Sequence, residues 1–303
     1  MALADYNLRG LLEVLEVSRQ GSITRAAAAL DVSQPALTRS LLRLERDLRV
    51  PLFERRPRGM VPTAFGEVLI SHAQSIEAEL KRSRGEIDAL RGRKSGEVRI
   101  GATPLANSHL IPLSLDAVLR KVPRLHVKIS EGIAVALLDD LLKGNLDLAI
   151  APVPPDFVEG ELVCESLLTE HLGVYARRNH PLSRRRKLGL ADLVEWPWVL
   201  QRYDSDFFRR LRAAFESEGL ELPDNTVESG SLMAFKTFIV RTDRIGVLPS
   251  QIVEVETGAG LMVRLAGSWK FRDREFGMFY RKRASRSAAV AQVTEQFRKQ
   301  AAS

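Results

Sequence analysis

The residues Phe65, Leu69, His72, Ile76, Leu80, Ser83, Ile87 and Leu90 recur at intervals of 4, 3, 4, 4, 3, 4 and 3. That spacing predicts one helix over 63–91 with an apolar stripe interrupted at two polar positions. At about 1.5 Å per residue it is roughly 40 Å long. A helix of that length has no core of its own to lie on, so a partner helix is its natural cover. Phe65, Leu69, His72, Ile76, Leu80 and Ile87 are therefore the expected dimerisation residues, with His72 read as an interface residue and not as a metal ligand. The helix also divides the chain, and what lies on either side must fold separately.

The sixty residues before it are crowded with arginine: Arg19, Arg25, Arg39, Arg43, Arg46, Arg49, Arg55, Arg56 and Arg58. Across all 303 residues Lys+Arg is 45 against 38 Asp+Glu, a formal charge of +7, and an excess gathered at one end points to a polyanionic partner. Leu8, Leu11, Leu12 and Leu15 share one face of a helix that stops at Gly21. Ser22 is suited to cap a second helix through Ala26–Ala29 and Leu30, whose small side chains allow close packing. After Asp31-Val32-Ser33, a third helix carries Pro35 in its first turn and buries Leu37, Leu41, Leu44 and Leu48. Gln34, Thr38 and Arg39 lie off that stripe. Gln suits adenine, Arg suits guanine and a Thr methyl suits thymine, and a recognition helix presents its N-terminal residues in this way. Arg25 and Arg43 belong to the same basic surface. Pro51 to Gly59 reads as a hairpin wing whose arginines reach phosphates or a minor groove. On spacing alone a small helical bundle with a solvated basic face competes with this reading.

The segment Gly21-Ser22-Ile23-Thr24-Arg25-Ala26-Ala27, then Val32 to Arg39, Leu44-Glu45, Pro51 to Arg55 and Pro62 to Gly66 resembles the LysR-type transcriptional regulators. The resemblance continues over essentially the whole chain. It implies a winged helix-turn-helix with Thr24, Ser33, Gln34, Pro35, Thr38 and Arg39 facing DNA, and with Arg55 and Arg58 on the wing. It further implies paired linker helices, commonly as dimers of dimers, double-stranded promoter DNA as partner, and RNA polymerase as a candidate further partner.

Beyond the polar break at 91–96, short β-branched runs alternate with amphipathic helical stretches, as in an α/β domain. The fold expected is an all-α winged helix-turn-helix head (1–62), a linker and dimerisation helix with its hinge (63–96), and an α/β effector domain (97–303). The last divides into two Rossmann-like lobes, about 97–165 with 270–303 and about 166–269. Ligands bind beyond the carboxyl ends of strands in such sheets. Thr103, Pro104 and Leu105 follow the first strand, Gln201, Arg202 and Tyr203 follow another, and Ser229 and Ser231 flank a helix start. Ser and Thr there also serve as plain helix caps. The resemblance to LysR-type regulators, whose effector domains are similar to periplasmic solute-binding proteins, adds Ile133 and implies a small effector, either a small organic acid or a sugar-type metabolite. Its action is expected as activation, repression or both. Arg241 and Arg244 depart from the small residues common there, and a solvent-facing orientation is expected for both.

An enzyme is the main competing class. The chain has no Gly-x-Ser-x-Gly elbow, Walker-type loop or His-Glu-x-x-His, and its five histidines lack ligand spacing. Gly258-Ala259-Gly260 lacks the strand a dinucleotide loop needs. No catalytic residue, metal site or cofactor is therefore expected. Cys164, the one cysteine, reads as a small buried hydrophobe. The longest apolar run, Ile133 to Leu138, is too short for a span. With no signal peptide legible at the N-terminus, a cytoplasmic protein is expected.

Overall fold

Asn7 begins the first helix, its side chain accepting from the Arg9 amide; α1 (Leu8–Gln20) ends where Gly21 turns left-handed at φ 59°. In this computed structural model the described residues are 7–57, 59–91, 96–203, 205–282 and 287–302, without the side chains of 86 and 88–90. Ser22 and Ser33 accept from the Arg25 and Ala36 amides and open α2 (Ile23–Ala29) and α3 (Gln34–Leu48). Strands β1 (Phe53–Arg56) and β2 (Gly59–Pro62) pair antiparallel as a wing. The hairpin expected to close at Gly59 runs on to Pro62, because the Met60 amide donates to the Gly21 carbonyl (2.9 Å) and seats the second strand against the α1–α2 turn. Glu45 ties the recognition helix to the wing, accepting from the Leu52 (2.7 Å) and Phe53 (3.4 Å) amides.

Thr63 precedes α4 (Ala64–Leu90), accepting from the Gly66 amide at 3.1 Å. The first turns of α4 lie in the core of the head: Leu69, Ile70 and Ala73 pack with Leu11, Leu15, Leu37, Leu41 and Leu44. This corrects one dimerisation assignment. Leu69 is only 8% exposed, already covered within its own chain, whereas neighbouring Val68 is 61% exposed.

Lobe I contains β3 (Glu97–Ala102), α5 (Pro104–Ser108), α6 (Leu110–Lys121), β4 (His126–Glu131), α7 (Ala134–Leu142), β5 (Leu148–Pro152) and β6 (Leu162–Glu170). A break at His109 separates α5 from α6, and Pro112 lacks the amide hydrogen an interior helical position must donate. Pro112 is tolerated only in a first turn, so a new helix starts at Leu110. Lobe II contains β7 (Leu172–Arg177), β8 (Trp198–Leu200), α8 (Asp206–Ser217), β9 (Thr226–Glu228), α9 (Leu232–Arg241), β10 (Gly246–Pro249), α10 (Glu254–Gly258) and β11 (Met262–Arg264). The chain then returns to lobe I through β12 (Arg274–Arg281) and α11 (Ala288–Ala301).

The lobe I sheet runs β4-β3-β5-β12-β6, with β3 parallel to both neighbours and β12 antiparallel to both of its own. In lobe II, β10-β7-β11 is antiparallel, and the parallel pair β8-β9 joins it through a bridge between Trp198 and Ile245. Strand β6 stays in the lobe I sheet to Glu170, so it passes through the boundary expected at 165–166; its pairing with β12 holds it there. Each lobe has its own apolar core. A further cluster joins Leu105 and Phe276 to Tyr175, Val199, Phe235, Ile239 and Leu248 between the lobes.

Candidate nucleic-acid interface and ligand cleft

Burial of Leu37, Leu41 and Leu44 fixes which side of α3 faces outward. Gln34, Pro35, Arg39 and Arg43 are exposed, with Ser33 exposed at the cap and Thr24 exposed on α2. Thr38 donates its hydroxyl to the Gln34 carbonyl (2.9 Å), which leaves its methyl as the group without a partner. Among the described residues Arg39, Arg43 and Arg55 have no ion-pair partner, so their charge is available to phosphates or base edges. Arg25 is exposed, but its guanidinium donates to the Gln20 carbonyl and closes the end of α1, a structural use the sequence did not signal. Arg58 lies outside the described residues. The head and α4 are also locked by Arg19, whose guanidinium makes a two-pronged pair with Glu77 at 3.2 and 2.6 Å. That pairing holds the Glu77 carboxyl below its ordinary range.

Along α4, Phe65, His72, Ile76, Leu80 and Ile87 are exposed, as is Val68. With Val68 replacing Leu69, they form a continuous outward stripe. Val68 lies three residues after Phe65 and four before His72, so this alternative was present in the sequence.

In the effector domain Thr103 follows β3 and its amide donates to the Ile150 carbonyl at 3.1 Å. Its side chain makes no cap; the hydroxyl is buried, the residue is 8% exposed, and no described partner satisfies it. A buried polar atom of this kind wants a partner. Pro104 begins α5, while Leu105 is fully buried in the cluster between the lobes. That is a correction: Leu105 packs the lobes together and presents nothing to an open cleft. Ile133 is exposed and precedes α7.

Within lobe II, the loops at 201–203 and 229–231 meet. A side chain at Gly230 would lie 3.2 Å from the Arg202 stem, and the Ser229 amide donates to the Leu200 carbonyl at 2.9 Å. Ser231 caps α9 through the Ala234 amide, and Ser229 is bonded to Ser231, so both also do the structural work of caps. Tyr203 is exposed with its ring edge-on to Phe208 at 4.6 Å, and Gln201 is half-buried. The two sets of loops share one apolar base. Leu105 lies two residues past Thr103, Val199 two before Gln201 and Phe235 four past Ser231, and all three belong to one packed cluster. Arg241 is exposed, and Arg244 donates to the Trp198 and Asn225 carbonyls (2.9 and 3.2 Å), so Arg244 ties strand ends together and supplies no charge to the cleft.

No group of three or more metal-ligating side chains occurs among the described residues, and no described helix is long and apolar enough to cross a membrane.

The profile of the family described as "Bacterial regulatory helix-turn-helix protein, lysR family" matches residues 8–67, and that of "LysR substrate binding domain" matches 91–302. The chain is 29% identical over 280 residues to the HTH-type transcriptional regulator GbpR of Azospirillum brasilense, covering 92% of this chain and 82% of that one. It is 29% identical over 290 residues to the HTH-type transcriptional regulator GalR of Pseudomonas putida, covering 94% and 72%. Its fold is similar to full-length CbnR complexed with its target DNA, with a TM-score of 0.67 at 20% identity, covering 97% of this chain and 100% of that one.

Proposed function

The chain belongs to the LysR family of DNA-binding transcriptional regulators, and we propose that it reads promoter DNA through the exposed start of α3 in response to a small molecule held between its lobes. It is a regulator with an effector-binding domain, not an enzyme. The head (1–62) docks on DNA, the linker region (63–96) pairs two copies, and the domain at 97–303 senses.

The observation that carries the DNA reading is the outward placement of Gln34 and Arg39 beside the buried leucine stripe. Gln34, Thr38 and Arg39 meet base edges, with Thr24, Ser33 and Arg43 near the backbone and Arg55 on the wing. Two copies related by the α4 stripe present two such helices, and a dimer of dimers presents four. The effector is a small organic acid or sugar-type metabolite; the buried Thr103 hydroxyl supports a polar group at that end of the cleft. Its binding changes the lobe angle by favouring one arrangement over the other, and RNA polymerase meets the protein at the promoter. The protein works in the cytoplasm.

The test is binding to the DNA just upstream of its own gene across a salt series, for wild type and for Gln34→Ala with Arg39→Ala. Sequence-specific binding with a steep salt slope, lost in the folded double variant, is the expected result. Equal binding to random DNA by both proteins would sink the recognition-helix assignment.

A further inference from the structure

The linker helix has a second occupied face. Ser75, Ala78 and Arg82, spaced three and four residues apart, lie against the loop that joins α7 to β5 in lobe I of the same chain. The Ser75 hydroxyl lies 3.4 Å from the Leu142 carbonyl. Gly144, at φ +79°, approaches Ala78 so closely that a side chain there would come within 2.8 Å of the Ala78 methyl. Arg82 donates to Asp147 at 3.1 Å.

Asp147 is the centre of this contact. Its side chain is only 5% exposed, and it also accepts from the Arg99 amide (2.9 Å) and the Arg99 guanidinium (3.0 and 3.2 Å). Arg281 holds the same loop from behind, donating to the Leu141 and Leu146 carbonyls. One buried carboxylate therefore stands among three guanidinium groups, with Glu79 near Arg82 at 3.5 Å. Burial first, and then the neighbouring Arg82, weaken the hold of Arg281 on its proton. The charge arrangement is asymmetric: remove the Asp147 charge and the helix-borne Arg82 faces like charges across the joint.

The position of Asp147 connects it to the cleft. Asp147 precedes β5 and Arg99 lies on β3, and these two strands pair parallel in register. At their far ends the Ile150 carbonyl accepts the Thr103 amide, about 10 Å from Asp147 at the rise of a strand. Two hydrogen-bonded strands thus join the candidate effector loop to the helix that carries the head.

We propose that the Ser75–Ala78–Arg82 face and the 142–147 loop form an intrachain coupling joint, with Asp147 as its positioning residue, through which lobe I and the DNA-binding head influence one another. This rests on the regulator reading above. Coupling between two binding events is reciprocal, so DNA bound at the head must perturb lobe I through the same joint, and no effector is needed to see it.

The experiment is hydrogen–deuterium exchange on the full chain, with and without a duplex from upstream of its own gene. Low salt is used so that the basic head binds duplex whatever its sequence. The variants are Ala78→Trp, which wedges the joint from the helix side and leaves lobe I intact, and Asp147→Asn, with Arg82→Lys as the conservative control. In wild type and Arg82→Lys, DNA should change exchange in 141–147 by about fivefold or more, the low end of ordinary coupling. In Ala78→Trp and Asp147→Asn that response should vanish while DNA affinity persists. If wild type binds DNA with no response in this loop, or if Ala78→Trp responds equally, the joint is overturned and the regulator reading stands. If wild type binds no duplex at all, the regulator reading fails and the joint fails with it.

Discussion

Glu170 and Arg274 face each other in register where the chain passes between the lobes, the carboxylate 3.0 Å from the guanidinium. Glu170 closes β6 just before the first crossing and Arg274 opens β12 just after the second. Glu170 is fully buried, and Arg210 of α8 donates to its other oxygen. Arg274 also reaches Asp206 at 2.8 Å and lies over the Phe207 ring at 5.1 Å. Both crossings and a lobe II helix are thereby fastened at one point.

Removing one member of such a group leaves charge buried without a partner. Glu170→Gln should destabilise the effector domain by about 3–5 kcal/mol. The check is urea unfolding of the full chain, with Asp206→Asn, at the more exposed rim, costing about 1 kcal/mol or less. Equal losses for the two variants would contradict the central role of Glu170.

Adjacent residues on α4 should behave oppositely. Leu69→Ala removes a side chain from the head core and should cost about 2–5 kcal/mol in stability. Val68→Asp leaves the fold intact and should weaken self-association by at least about tenfold, since it places a charge in an apolar seam. Sedimentation beside thermal unfolding separates these effects. A dimer unchanged by Val68→Asp would move the seam elsewhere.

His180 is fully buried, its Nδ1 accepting from the Leu182 amide and its ring packed on Trp196 at 4.5 Å. Its Nε2 meets the Asp243 carbonyl at 3.2 Å, so the ring is neutral with its proton on Nε2. Burial pushes its pKa below the ordinary histidine range. The unfolded chain therefore takes up a proton first as pH falls. The stability contributed by His180 is complete above the ordinary histidine value of about 6.5 and is lost as pH falls through the lower folded value. Urea unfolding at stepped pH, read by tryptophan fluorescence, should show stability declining from pH 7 to 5 in wild type and a flatter profile in His180→Asn.

Cys164 should be nearly inert. Burial first, and then the nearby Glu159, Glu275 and Glu165, push its thiol up to about 11. At pH 8 about one part in a thousand is thiolate, the form that reacts. Iodoacetamide labelling followed by mass spectrometry should run roughly a hundredfold slower in the native chain than in urea. Similar rates in both would show that the site opens readily.

The helices of the head and the stretch over 63–91 were legible because their causes are local. Capping by Ser22 and Ser33, the stop at Gly21 and the leucine spacing act within a few turns of the chain. The alternation of strand and helix that gives two lobes is equally local, and so is the outward placement of Gln34 and Arg39 once the leucine stripe is known. The tertiary structure decided which neighbours those surfaces meet. Leu69 and Leu105 carry the same apolar signal whether they face a partner, a ligand or their own core, and only packing assigned both to cores within the chain. Arg25 and Arg244 resemble other arginines until a carbonyl in the folded chain claims each. The pairing of Glu170 with Arg274 joins residues 104 positions apart, and that of Arg82 with Asp147 joins residues 65 apart. No periodicity reports such contacts, because a buried charge finds its partner through the fold that surrounds both.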